Sequence, residues 1–266
     1  MHMGSRARAA IGAMVIMVAL AVTATASAAP LAVTNPGFED ISGQSPFNEF
    51  TFGAPNGWSL YDPGNITAGG DGPTYFVGTL TPTDPAPPDV IEFFPAGAPQ
   101  GVRVGIAFNY NGSAGEGAYG LFQTLSDTLA PNTHYELSVL IGNIAAGYSV
   151  SGDYFPLDGF PGYRVELLAG NTLLAVDDNS LAGSIPEGAF APTTLSYTSG
   201  SSPLGEGENL TIRLINLNQL DNSLTNPETY DLEVDFDDVQ LAATPVPEPA
   251  AFSLLAVSGL MLIRRR

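Results

Sequence analysis

The sequence predicts an all-β chain, a sandwich or barrel, and three observations carry that expectation. Short runs of Val, Ile, Tyr, Phe and Thr alternate with clusters of Gly, Pro, Asn and Ser, which is how half-buried strands and turns are spaced. No long stretch carries apolar residues at helical period. The body between two apolar ends is roughly 215 residues, a length that one all-β domain can reach.

The elements follow in order. Arg6 and Arg8, the apolar run Ala9 to Val22 and the small residues Ala26-Ser27-Ala28 form the pattern of a secretory leader. Residues 1–28 are read as that leader, cut after Ala28 or at Ala24 to Ala26. A retained anchor is the alternative, although the run is short for a span of ~20 residues. The body is 29–241. Strands are expected at Val102 to Phe108, Tyr119 to Leu125, Tyr135 to Ile141, Tyr163 to Leu168, Thr172 to Val176, Thr193 to Thr198, Asn209 to Leu217 and Tyr230 to Leu241. Ala169-Gly170-Asn171 marks a hairpin. Asp40 to Pro99 holds Pro82, Pro85, Pro87, Pro88, Pro95 and Pro99, so long loops are expected, with short strands at Trp58 to Tyr61 and Thr74 to Val77. Residues 242–249 form a Pro-rich linker, extended and semi-rigid. Residues 250–266 form an apolar segment, expected as a helix, that closes on Arg264-Arg265-Arg266.

Charge narrows the partners. All eight cations are arginines, against 27 carboxylates, for a net charge of -19. Only Arg103, Arg164 and Arg213 lie in the body. Such a surface repels nucleic acid and anionic lipid. There are no cysteines, and His134 is the one histidine of the body. Disulfides, thiol catalysis and multi-histidine metal sites are therefore excluded.

The order Val246-Pro247-Glu248-Pro249, apolar run, then Arg264, Arg265 and Arg266 resembles a PEP-CTERM sorting signal. The resemblance implies recognition by an exosortase-type membrane enzyme and passage to the cell surface or an exopolysaccharide matrix. The arginines fit a cytoplasmic end.

The start Asn35-Pro36-Gly37-Phe38-Glu39 and the end Asp235-Phe236-Asp237-Asp238-Val239 resemble the jelly-roll β-sandwiches of carbohydrate-binding modules. That resemblance implies a jelly-roll β-sandwich whose first and last strands lie side by side. It also implies a structural Ca²⁺ shared by Glu39, Asp237 and Asp238, since calcium takes six to eight oxygens. The last strand adds a reading of its own. Leu232, Val234 and Phe236 share one face, but Val239 and Leu241 fall out of phase. One extra residue at Asp237 or Asp238 restores the phase, so a bulge is expected there.

The long link Asn143 to Gly162 carries Tyr148, Tyr154, Phe155 and Asp158. Together with Trp58 these are the expected ligand-binding residues, aromatic faces and a carboxylate suited to a glycan. Glu233-Val234-Asp235-Phe236-Asp237 also resembles the acidic strand of laminarinase-like glycoside hydrolases. The third acid there departs from the family's Glu, and no strands follow to complete a cleft. The expected function is therefore non-enzymatic: an exported surface or matrix protein that binds glycan, or a purely structural one, with the hydrolase as the rival class.

Overall fold

The computed structural model describes residues 27–82, 93–110 and 117–247. The expected C-terminal apolar helix and most of the leader lie outside these residues. Alternation of side chains dictates the rest. Among the described residues fourteen strands run in chain order: β1 (Ala29–Leu31), β2 (Phe50–Phe52), β3 (Ser59–Tyr61), β4 (Tyr75–Leu80), β5 (Val104–Asn109), β6 (Tyr119–Thr128), β7 (Thr133–Asn143), β8 (Gly147–Tyr148), β9 (Tyr154–Phe155), β10 (Tyr163–Ala169), β11 (Thr172–Asp178), β12 (Ala189–Thr198), β13 (Asn209–Asn216) and β14 (Leu232–Pro245). Helix among the described residues amounts to the 3-10 turn Pro227–Thr229.

Two antiparallel sheets form the jelly-roll sandwich. One has the order β12-β7-β14-β5-β4-β2, with β1 beside β14; the other has the order β11-β10-β13-β6-β3. First and last strands are neighbours, Ala29 opposite Ala243 and Leu31 opposite Leu241. Inward residues recur at period two: Leu137, Val139 and Ile141 from β7, Val165 and Leu167 from β10, Ile212 and Leu214 from β13. Full burial of each such side chain stabilises the fold by ~1.5–3 kcal/mol. Gln123 also points inward and clamps the entering chain, its amide accepting from Thr34 N and donating to Thr34 O.

The expected bulge is present. Pairing of β14 with β7 shifts register between Asp237 and Gln240, and Asp238 adopts φ 47°. Val239 N donates to Pro36 O at 3.0 Å. The extra residue returns Val239 and Leu241 to the core face, beside Val234 and Phe236.

A second apolar cluster lies outside the main core. Phe50, Phe76, Leu80, Ile106, Phe108 and Leu157 belong to it. Consequently β4 and β5 are buried at every position. The outer face of the larger sheet is covered by loops, and that cover positions the candidate site.

Candidate active site

Alternation on β14 sends Val234 and Phe236 to the main core and Glu233 and Asp235 to the opposite face. Glu233 is 1% exposed and Asp235 not at all. Glu233 stands opposite Phe108 of β5, and Asp235 stands opposite Ile106 and Gly142. Gly142 leaves the room, because a Cβ there would lie 2.8 Å from the Asp235 side chain. Apart from one another, these carboxyls have no hydrogen-bonding partner among the described residues. Burial, then the charge of Asp235, raises the Glu233 carboxyl well above the ordinary range; Asp231 and Glu49 add to the effect. Burial raises Asp235 as well, while its hydrogen bond with Glu233 pulls it back. Burial of two adjacent acids disfavours the charged form of each.

An aromatic pocket is built around Phe108, the residue opposite Glu233. Its volume is about 140 Å³, and its walls include Glu49, Phe50, Phe76, Phe108 and Phe155. Phe108 is the hub: Phe50 stacks on it at 6.2 Å, Phe76 meets it edge-on at 4.9 Å and Phe155 at 5.9 Å. Tyr110 and Phe47 reach the rim and are exposed. An apolar cavity of about 150 Å³ takes a benzene ring, so this pocket accepts the edge of a flat aromatic molecule. Glu49 is 3% exposed and stands on the wall itself. Val150 N approaches its Oε2 at 3.4 Å. The Asp231 main-chain N–H donates to Pro156 O at 2.8 Å, tying the start of β14 to the segment after β9.

The expected ligand residues divide. Phe155 is in the pocket. Tyr148 and Tyr154 pack on each other at 5.1 Å on the exposed β8–β9 hairpin. Asp158 lies within electrostatic reach of Glu187 and Tyr154 and does not line this pocket. Trp58 is in the main core, stacked on Phe38 at 5.2 Å, and its indole N–H donates to Asn35 O. The residues that sequence reasoning missed are Phe47, Glu49, Phe50, Phe76 and Phe108.

The three expected calcium ligands also divide. Asp237 is fully buried; its Oδ2 accepts from Gln100 N and its Oδ1 from Asp238 N. Glu39 Oε1 accepts from Val102 N and Arg103 N, both at 2.8 Å. Asp238 turns away to bond Gln240. Among the described residues no three acidic or histidine side chains group as a metal site requires.

Similarity to known proteins decides the class. The model of the HpiC1-like family, described as HpiC1 cyclase, matches residues 29–242. The chain belongs to the HpiC1-like cyclase family. Among solved structures, a cyclase from Fischerella sp. TAU is 36% identical; the match covers 84% of this chain and 100% of that one, with TM-score 0.67. The Stig cyclase Fisc of that organism, in complex with (3Z)-3-(1-methyl-2-pyrrolidinylidene)-3H-indole, is 36% identical over 83% of this chain and 100% of that one, TM-score 0.67. A Fischerella sp. TAU cyclase in complex with 4-(1H-indol-3-yl)butan-2-one is 35% identical over 83% of this chain and 100% of its own, TM-score 0.66. No curated protein matches the chain.

The family overturns several expectations. The body is that of a cyclase family, not a carbohydrate-binding module, so the glycan, exopolysaccharide and matrix readings are withdrawn. The sorting-family reading and its exosortase partner are replaced by the same match. Of that motif, Val246 donates its N–H to Asn132 O and Pro247 follows it, while Glu248, Pro249, Arg264, Arg265 and Arg266 lie outside the described residues. The non-enzymatic reading is corrected too. It rested on the third acid's departure from the hydrolase pattern and on the lack of strands after β14 to build a cleft; here the pocket walls come from earlier segments, around Glu49 and Phe155.

Proposed function

We propose that the protein is a cyclase that closes a ring on a flat, apolar, indole-bearing substrate seated in the Phe108 pocket. The observation that carries this reading is the buried acid pair Glu233 and Asp235 on the strand beside Phe108, with Glu49 on the wall of a pocket built largely of phenylalanines. Ring closure of an electron-rich aromatic begins with a proton and passes through a cation. A carboxyl kept protonated by burial supplies the proton. Aromatic faces then stabilise the cation. The low-polarity walls keep water from capturing it. The relatives crystallised with indole compounds support the substrate class.

The test is binding of 4-(1H-indol-3-yl)butan-2-one by calorimetry. Wild-type protein is expected to bind it, and Tyr110→Ala at the rim to weaken it about tenfold with Tm unchanged, a loss of ~1.4 kcal/mol. Leu204→Ala, on a side chain 79% exposed and away from the pocket, leaves it alone. No binding by wild-type protein, or equal effects of both substitutions, removes the pocket assignment.

For the structural ion we propose calcium at the corner shared by Glu39 and Asp237. A Cβ on Gly37 would lie 1.5 Å from Gln100 Oε1 and 3.5 Å from Asp237 Oδ1, and one on Gly101 would lie 2.2 Å from Glu39 Oε1. Oxygens thus crowd around two glycines, a donor set suited to a hard cation. The ion would join the first segment to the bulge of β14, away from the substrate.

A further inference from the structure

We propose that Asp153 orients the substrate by accepting a hydrogen bond from the indole N–H, on a polar lip that the β8–β9 hairpin lays along one side of the Phe108 pocket. The inference rests on the cyclase reading and deepens it, because it names the residue that reads the one polar atom of the ring. The pocket has two unlike sides. Phe50, Phe76, Phe108 and Phe155 meet an apolar ring face, while Ser149, Ser151 and Asp153 stand together on the other side. Those three come from a hairpin that pairs with neither large sheet. Alternation decides what the hairpin shows. Tyr154 turns outward and packs on Tyr148 at 5.1 Å, whereas Asp153 and Phe155, on either side of it, both reach the pocket. Residues two apart on an extended strand are spaced ~6.5–7 Å. A flat bicyclic ring lying against Phe155 therefore brings an edge atom to Asp153.

The lip presents acceptors. Ser151 Oγ donates to Asp153 Oδ2 at 2.8 Å. Its one hydrogen is thereby committed, so in the 2.7 Å contact between the two hydroxyls Ser149 Oγ is the donor. Ser149 Oγ accepts in turn from Asp153 N at 3.1 Å. Both hydroxyl hydrogens are used within the lip, and neither ion pair among the described residues involves Asp153. Oδ2 is held by Ser151, and Oδ1 is left to a donor from outside. The turn itself is fixed by Ser149 N donating to Asp153 O at 2.8 Å and Gly152 N to Ser149 O at 2.9 Å. The carboxylate is thus aimed before a ligand arrives, which lowers the ordering entropy lost on binding. Glu49, the other acid on the wall, is 3% exposed and faces Val150 N of the same hairpin. Asp153 is exposed at the mouth, where the edge of a seated ring emerges. An acceptor of this kind selects an N–H, since a ring oxygen in its place sets lone pair against lone pair.

Two ketones of one shape test this, 4-(1H-indol-3-yl)butan-2-one and 4-(1-benzofuran-3-yl)butan-2-one, in which a ring oxygen replaces the N–H. Each is titrated by calorimetry into wild-type protein and Asp153→Ala. Wild-type protein should prefer the indole about tenfold, the size of one hydrogen bond to a charged group at a partly solvated site. Asp153→Ala should bind the benzofuran at least as well as wild type does and should bind the indole no better than the benzofuran, a loss of preference that a merely structural change does not produce. Equal binding of both ketones by wild-type protein overturns the inference and leaves the pocket standing. So does an Asp153→Ala protein that keeps the tenfold preference, because the N–H is then read elsewhere. No binding of either ketone by wild-type protein overturns the pocket and the inference together. Should Asp153→Ala fail to fold, Asp153→Asn decides: its amide keeps the shape with a neutral acceptor, so the preference should fall below about threefold, and one still near tenfold counts against the role.

Discussion

Asp237 shows how one side chain can report on a whole corner of the fold. Burial raises its carboxyl to about 7; the N–H groups of Gln100 and Asp238 oppose the shift, and the charges of Asp238 and Glu39 add to it. The sign follows from linkage. A carboxyl raised in the folded state is favoured there as the neutral acid, so its contribution is fully present below the unfolded value near 4 and is lost as pH rises through 7. In calcium-free buffer Tm should therefore fall between pH 5 and 8, and Asp237→Asn should flatten that slope. A bound calcium ion favours the ionised form, so adding calcium at pH 8 should raise Tm and a chelator should lower it. No response to either removes the ion, and a slope unchanged in Asp237→Asn assigns the pH dependence elsewhere. Glu233 and Asp235 were visible in the sequence as alternating acids on the last strand, but their burial was not. The missed signal is in β4 and β5. Tyr75-Phe76-Val77 and Val104-Gly105-Ile106 do not alternate with polar residues, and a strand apolar on both faces is covered on both faces.

At the scale of elements, the β14 bulge is the feature most fully legible beforehand, because period two cannot absorb an odd number of residues. Its cost is also local. Asp238 sits at φ 47°, a left-handed region that costs most L residues about 1 kcal/mol, is less costly for Asn and Asp, and is free of that cost for Gly. Its carboxylate bonds only the neighbouring Gln240 side chain among the described residues. Asp238→Gly should therefore leave the fold intact and hold or raise Tm, measured by thermal unfolding. A loss of several degrees would show that this carboxylate carries stability the bulge alone does not explain. The loops explain why the pocket was illegible. β8 and β9 are two residues each, and the Phe47–Phe50 bridge falls in the proline-rich stretch. Elements that short leave no periodic trace. Only their closure over Phe108, between residues far apart in sequence, creates the site. Strands β5 to β7 and β10 to β14 did leave that trace, and their expected positions agree with the observed ones to within a few residues at most ends.

Over the whole molecule, charge and function separate. All carboxylates but Glu248 lie between Ala29 and Thr244, with three arginines for company. Those three give little relief at long range. Arg164 pairs with Asp178 at 2.8 Å and Arg213 with Glu166 at 3.0 Å on the smaller sheet, and Arg213 also lies over the Tyr61 ring. Arg103 is partly buried and donates to Thr79. The remaining acids repel one another across the surface, and that repulsion is screened within about 10 Å at 0.1 M salt. Tm should accordingly rise as NaCl is raised from about 0.02 to about 0.5 M. The pocket responds differently. Its walls are phenylalanine, and the indole probe carries no charge, so the surface field does no work on binding. Affinity for 4-(1H-indol-3-yl)butan-2-one should stay within twofold over the same salt range, measured by calorimetry at fixed pH. A steep fall of affinity with salt would mean that recognition passes through the acidic surface, and the buried aromatic box would lose its place as the substrate site.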